Sequence, residues 1–130
     1  MPAPFTHRKL LTDVKDSAPE FGMEDVQEAR FAKDALDTER TGFSHHRLKA
    51  SQRQPFGHKH DDAEEVYVVI GGSGRLKLDD EIVEVETLDA IRVSPEVVRA
   101  FEAGPEGIEV LAFGARHDGD GETIPGWWSD

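Results

Sequence analysis

The chain has 130 residues, no cysteine and a formal charge of −12, from 27 acidic and 15 basic side chains. The length suits one domain able to bury a core without covalent clips, and the absence of cysteine excludes thiol chemistry and cysteine-held zinc. Acids and bases are interleaved and no run of about 18 apolar residues occurs, which disfavours nucleic acid, anionic membrane and a bilayer-spanning helix; with no signal-like run near Met1 either, a cytoplasmic protein is expected.

Residues 1–27 read as a polar arm with little core, punctuated by Ser17-Ala18-Pro19 and Phe21-Gly22. Val26, Ala29, Phe31 and Ala32 fit a short helix while Ala29 and Phe31 also fit an alternating strand; a strand near Ala29 to Ala32 followed by a helical turn through Asp34 to Asp37 is preferred. From Gly42 to about Ala50 one face of a strand would carry Phe43, His45, Arg47 and Lys49, and the other Ser44, His46, Leu48 and Ala50. Neither face is cleanly apolar, which suits a strand beside a polar cavity or at a sheet edge. His45 and Arg47 are candidate pocket residues on the first reading and solvent-exposed side chains on the second.

Gln54-Pro55-Phe56-Gly57 turns the chain into the stretch that carries chemistry, PFGHKHDDAEEVYVVIGGSG. His58 and His60 stand two apart, so on a strand both imidazoles leave the same face. Glu65 follows five residues later, beyond the polar break Asp61-Asp62-Ala63, and a second strand folding back beside the first would return its carboxylate to the histidines. Two neutral imidazoles and a carboxylate are the ligand set of non-haem iron sites and of several manganese and zinc sites.

Arg75 to Glu86 alternates on either side of Asp79-Asp80 and predicts a hairpin. Leu88-Asp89-Ala90 is a turn, Ile91 to Val93 a short strand, Pro95 an interruption, and Val97 to Ala103 a strand again. Gly104-Pro105-Glu106-Gly107 predicts a strong turn before the apolar strand Ile108 to Phe113. In the tail, His117 reads as a solvent residue. At least one of Trp127 and Trp128 is expected to dock on the barrel or a neighbouring subunit, a stacking platform for a ligand being the sharper alternative. Many short strands separated by glycine and proline argue for an all-β sandwich or barrel.

The histidine stretch resembles the first motif of the cupins, G-x5-H-x-H-x3/4-E-x6-G, with His58 and His60 in place and Gln52 where the opening glycine belongs. Glu64 with Gly71 fits the shorter spacing and Glu65 with Gly72 the longer. Glu65 is preferred because Gly72-Ser73-Gly74 continues as the family does, and it then shares a pocket-facing side with Tyr67 and Val69, leaving Val66, Val68 and Ile70 outward. The second motif, G-x5-P-x-G-x2-H-x3-N, is eroded: Leu88 replaces its first glycine, Glu96 or Val97 its second, and Arg99 stands where its histidine belongs. The resemblance covers roughly residues 42–114.

It implies an all-β fold, a cupin-type jelly-roll (double-stranded β-helix) barrel over residues 28–116, with the N-terminal arm at 1–27 and a tail at 117–130. It further implies a divalent metal ion (iron, manganese, nickel or zinc) on His58, His60 and Glu65, with a small-molecule ligand met by Arg99, Tyr67 and Phe101 and, from the strand reading, by His45 and Arg47. Arginine stays protonated and offers only donors, so it is no metal ligand. Either three ligands hold the metal while Arg99 clamps a carboxylate or enolate of the substrate, as in an oxygenase or isomerase, or Arg99 pairs with Glu65 in a metal-free, non-catalytic binding or sensor protein. A homodimer through strand edges is expected as the remedy for exposed edges and outer apolar faces.

Overall fold

Apolar side chains recur at every second position in stretches such as Leu76 and Leu78, Val83 and Val85, and Ile108, Val110 and Ala112, and that period puts one face of such a strand inside. The computed structural model describes residues 4–116 and 121–128, so His117 lies outside the described residues. Eight strands occur among them: β1 Gln27–Phe31, β2 Thr41–Leu48, β3 Phe56–His60, β4 Glu65–Leu78, β5 Glu81–Glu86, β6 Ala90–Val93, β7 Arg99–Ala115 and β8 Gly121–Pro125. They form one curled antiparallel sheet ordered β1-β2-β7-β3-β8, with β4 pairing β5, β6 and β7. The fold is the expected all-β jelly-roll barrel. Leu48, Tyr67, Val69, Leu76, Phe101 and Val110 belong to its core, and each such burial stabilises by roughly 1.5–3 kcal/mol. Since a one-residue slip would turn a whole row outward, the burial also fixes the register.

Two expectations change. The arm is not without a core: a single turn Leu10–Asp13 and a 3-10 turn Ala18–Phe21 lead to buried Val14, Ala18 and Met23. The arm also occupies the outer edge of β1, which would otherwise present bare backbone groups. The Ser17 amide donates to the Ala29 carbonyl at 2.7 Å, Asp16 Oδ1 accepts from the Ala29 amide at 2.9 Å, and Arg30 Nε donates to the Val14 carbonyl at 3.2 Å.

The second change concerns Gly104 to Gly107, which do not reverse the chain. β7 runs through them as one 17-residue strand beside the 14-residue β4. Both strands bend where Gly72 (φ 69°) and Gly107 (φ 84°) meet, and a Cβ on Gly72 would overlap the Gly107 carbonyl oxygen. The ladder shifts register there, between Val69 and Gly71 and again between Gly72 and Gly74. Glycine serves here as the hinge of a paired bend. No described helix is long and apolar enough to cross a membrane.

Candidate functional site

The FGHKH sequence of β3 places His58 and His60 on one face, their rings edge to face with centroids 5.4 Å apart. Glu65 does not reach them along a returning neighbour strand. Among the described residues β3 and β4 share no ladder, because they take opposite sides of β7: Arg99 is the partner both of His58 on β3 and of Leu78 on β4. Residues 61–64 carry the chain across, and Glu65 at the start of β4 faces the imidazoles over the barrel interior. Glu64, pointing the other way, pairs with exposed Arg92 at 3.3 Å.

One oxygen of Glu65 is the hub. Its Oε1 lies 3.2 Å from His60 Nε2 and 3.7 Å from His58 Nε2, and it accepts hydrogen bonds from Tyr67 OH and Arg99 Nη2, each at 2.7 Å. Arg99 Nε also donates to Tyr67 OH at 3.1 Å, while Arg99 Nη1 donates to the carbonyls of Val97 at 2.7 Å and Pro95 at 3.2 Å. Arg99 is 0% exposed. The guanidinium expected to clamp a substrate is therefore built into the floor of the site, where every nitrogen has a protein acceptor.

The charges follow from this enclosure. Burial alone would raise the Glu65 pKa, but hydrogen bonds from His58, His60, Tyr67 and Arg99 outweigh it and hold the carboxyl well below the usual range. Burial lowers the His58 pKa; the Glu65 hydrogen bond opposes the drop and the positive charge of Arg99 adds to it, which favours a neutral imidazole. Burial, then the charge of Glu65, pushes the Tyr67 phenol far above its ordinary value, so it stays a donor.

Phe101 supports the centre from behind, its ring edge to face with Tyr67 at 5.1 Å within the core. His45 and Arg47, read as pocket candidates, are on the face of β2 turned away from the core, where His45 is nonetheless buried at 3% exposure. His45 Nε2 meets Glu109 Oε2 at 2.6 Å, and Arg47 Nη2 donates to Glu28 Oε1 at 2.8 Å. Strand parity is the reason. His46 and Leu48 pair with Val110 and Ile108, which are core residues, so the intervening residues must face out.

His46 is the inward residue that the sequence reading did not select, and the apolar Leu48 on its face was the available signal. A buried chain of amides fixes its orientation. The Phe101 amide donates to Gln54 Oε1 at 2.9 Å, Gln54 Nε2 to Gln27 Oε1 at 2.9 Å, and Gln27 Nε2 to His46 Nδ1 at 3.2 Å. With Nδ1 accepting, the ring proton sits on Nε2, which donates to Ser44 Oγ at 2.9 Å. Burial, with the neighbouring His58 adding, pushes the His46 pKa down to about 4.

His58, His60 and Glu65 each offer a ligand atom within 4.8 Å of the others, so a small approach would let bonds of about 2.0–2.2 Å reach one divalent ion. Glu65 would attract such an ion, and the neighbouring guanidinium of Arg99 would oppose it. An ion bound to Glu65 Oε1 would stand about 4 Å from the guanidinium that shares this oxygen, a repulsion on the order of 8 kcal/mol at an effective dielectric near 20. The same guanidinium already disfavours a single charge on His58.

No family model and no curated protein sequence matches the chain. Solved structures do. A cupin protein from Bacteroides fragilis superposes with a TM-score of 0.71 at 21% identity, over 91% of this chain and 89% of that one. A polyketide cyclase from Streptomyces resistomycificus superposes at 0.73 and 20% identity, over 96% and 88%. Oxalate decarboxylase from Bacillus subtilis superposes at 0.73 and 20% identity over 93% of this chain, which spans 33% of that larger protein.

Proposed function

Since the chain has the cupin fold, a double-stranded β-helix, we propose that it is a small-molecule-binding barrel whose centre works without a resident metal, Arg99 supplying the positive charge that a metal ion would bring. The observation that carries this reading is the 2.7 Å bond from Arg99 Nη2 to Glu65 Oε1 beneath the two histidines, made by a side chain with no exposed surface. A buried pair of this kind is costly to break, because separation strands a charge. Glu65 and Arg99 cancel each other, and His58, with 30% of its side chain exposed, is the part of the centre that solvent reaches most. An entering molecule would meet imidazole rather than a bare charge, which suits a neutral ligand rich in hydrogen-bonding groups.

The experiment is metal analysis of protein purified without a histidine tag, beside its Arg99→His variant. Wild-type protein with well under one tenth of an equivalent, and a variant that takes up close to one equivalent and loses it again when His60→Ala is added, support the reading. A second reading rests on the convergence of His58, His60 and Glu65 within ligand distance and on the enzymes among the structural neighbours. It is a metal-dependent oxygenase or isomerase. Near-stoichiometric metal in the wild type, lost in His58→Ala and His60→Ala, would establish it in place of the first.

A further inference from the structure

The strand that carries both histidines shares little backbone ladder with the barrel it belongs to. β3 pairs with β7 at one position, His58 opposite Arg99. Backbone bonds also run from the Gln54 amide, just before the strand, to the Phe101 carbonyl at 2.9 Å and from the His60 amide to the Pro95 carbonyl at 2.8 Å, and Arg53 bridges Glu102. Its other edge is covered throughout by β8, with Phe56 opposite Pro125, Gly57 opposite Ile124, His58 opposite Thr123, Lys59 opposite Glu122 and His60 opposite Gly121. β8 itself pairs with nothing else among the described residues.

What seats β8 is the pair of tryptophans that follows it. Trp127 lies against the backbone of β3 at Gly57, where a Cβ would come within 2.9 Å of the indole Cγ and 2.7 Å of Val98 Cγ1. Only glycine leaves room for the ring. Lys77 Nζ stands 4.3 Å above the centre of Trp127 and donates to its carbonyl. Trp128 Nε1 donates to the Gln54 carbonyl at 2.7 Å, and the Arg53 guanidinium lies 4.4 Å over its ring. Both anchors therefore grip residues 53–57, the approach to the histidine strand, whose one apolar anchor is Phe56, packed against the small cluster of Ala18, Met23 and Ala29 rather than the main core.

We propose that residues 121–128 form a strap that holds β3 in place, with Trp127 as its positioning residue, so that seating the strap is what keeps His58 and His60 over Glu65. A cation over an indole and a bond to an indole nitrogen are attractions of modest size, in keeping with a segment that can be unseated while the core stays intact. The inference rests on His58, His60 and Glu65 being the functional centre, but its readout uses neither ligand nor metal. A metal-loaded protein would change the reading of the centre and leave the strap untouched.

The test uses the full chain with Trp127→Ala and Trp128→Ala together. Amide exchange at 56–60 should rise at least tenfold while the core amides of Val69 and Val110 keep their protection, and the imidazole NMR signals of His58 and His60 should move. Trp127→Phe with Trp128→Phe should retain most of the protection. Because the chain's two tryptophans are both removed in the double alanine variant, a synthetic peptide of residues 121–130 added to it reports its own binding. Its emission should shift to shorter wavelength as exchange at 56–60 slows again. Unchanged exchange at 56–60 in the alanine variant would overturn the proposal. So would loss of protection throughout the barrel, which would make the tryptophans part of the core rather than anchors of one strand.

Discussion

At Glu65 a single carboxylate oxygen accepts from Tyr67 and Arg99, with His60 and His58 close by, and the residues around it can be tested by what their loss leaves behind. Arg99→Met would strand a buried carboxylate, so unfolding by denaturant should show a loss of about 3–5 kcal/mol. Adding Glu65→Gln to that variant should recover part of the loss, since the stranded charge is then gone. His46 gives a pH test. Its folded pKa of about 4 lies below the ordinary 6.5, so its contribution to stability is whole above pH 6.5 and is lost as pH falls toward 4. The depressed His58 and Glu65 act in the same direction, Glu65 through the range near its ordinary value of 4.5. Thermal midpoints should fall steadily from pH 7 to pH 4.5, and His46→Gln should flatten the part of that slope above pH 5. Of these residues, His58 and His60 were legible because an HxH pair is a local pattern, whereas spacing left Glu64 and Glu65 both open and the resemblance to the cupin motif favoured Glu65. His46 was harder to pick, since His45 and His46 are adjacent and only the apolar Leu48, two residues on, marks which of them turns inward.

The elements separate into those fixed by neighbouring residues and those fixed by distant ones. The Asp79-Asp80 hairpin between β4 and β5 follows from alternation around a polar pair and was readable as such. Gly104 to Gly107 was not, because a glycine-rich stretch reads the same whether it reverses the chain or bends two long paired strands. The bend makes its own prediction. Gly74→Ala would drive a Cβ into the Glu102 carbonyl on β7, and the strain should lower stability by roughly 2–4 kcal/mol in equilibrium unfolding; a change under half a kcal/mol would mean that the two strands separate there at little cost. The pairing of β3 with β8 joins segments more than 60 residues apart, and no turn signal announces it. The resulting placement of β3 and β4 on opposite sides of β7 is why the acid arrives from across the barrel.

At the scale of the whole molecule, alternation and frequent turn residues were enough for an all-β barrel and the adjacent tryptophans for a docked tail, whereas the seating of the arm depended on burial that composition does not reveal. Val66, Ile70 and Phe113 stand 36–38% exposed on the outer face, with Phe43 stacked on Phe113 at 5.1 Å. A homodimer that covers such outer faces and edges is the expected assembly, and sedimentation at micromolar concentration should give the dimer mass; a monomer would contradict it. The centre is where the barrel's electrostatics are decided, because a divalent ion bound there would have to share one Glu65 oxygen with the Arg99 guanidinium. Anomalous X-ray scattering from crystals soaked in a manganese(II) salt, recorded at the manganese edge, places the two alternatives in direct view. The metal-free account expects no peak between His58 Nε2, His60 Nε2 and Glu65, with Arg99 still bonded to the carboxylate. A strong peak within about 2.3 Å of those three atoms, with Arg99 displaced from Glu65, would contradict it.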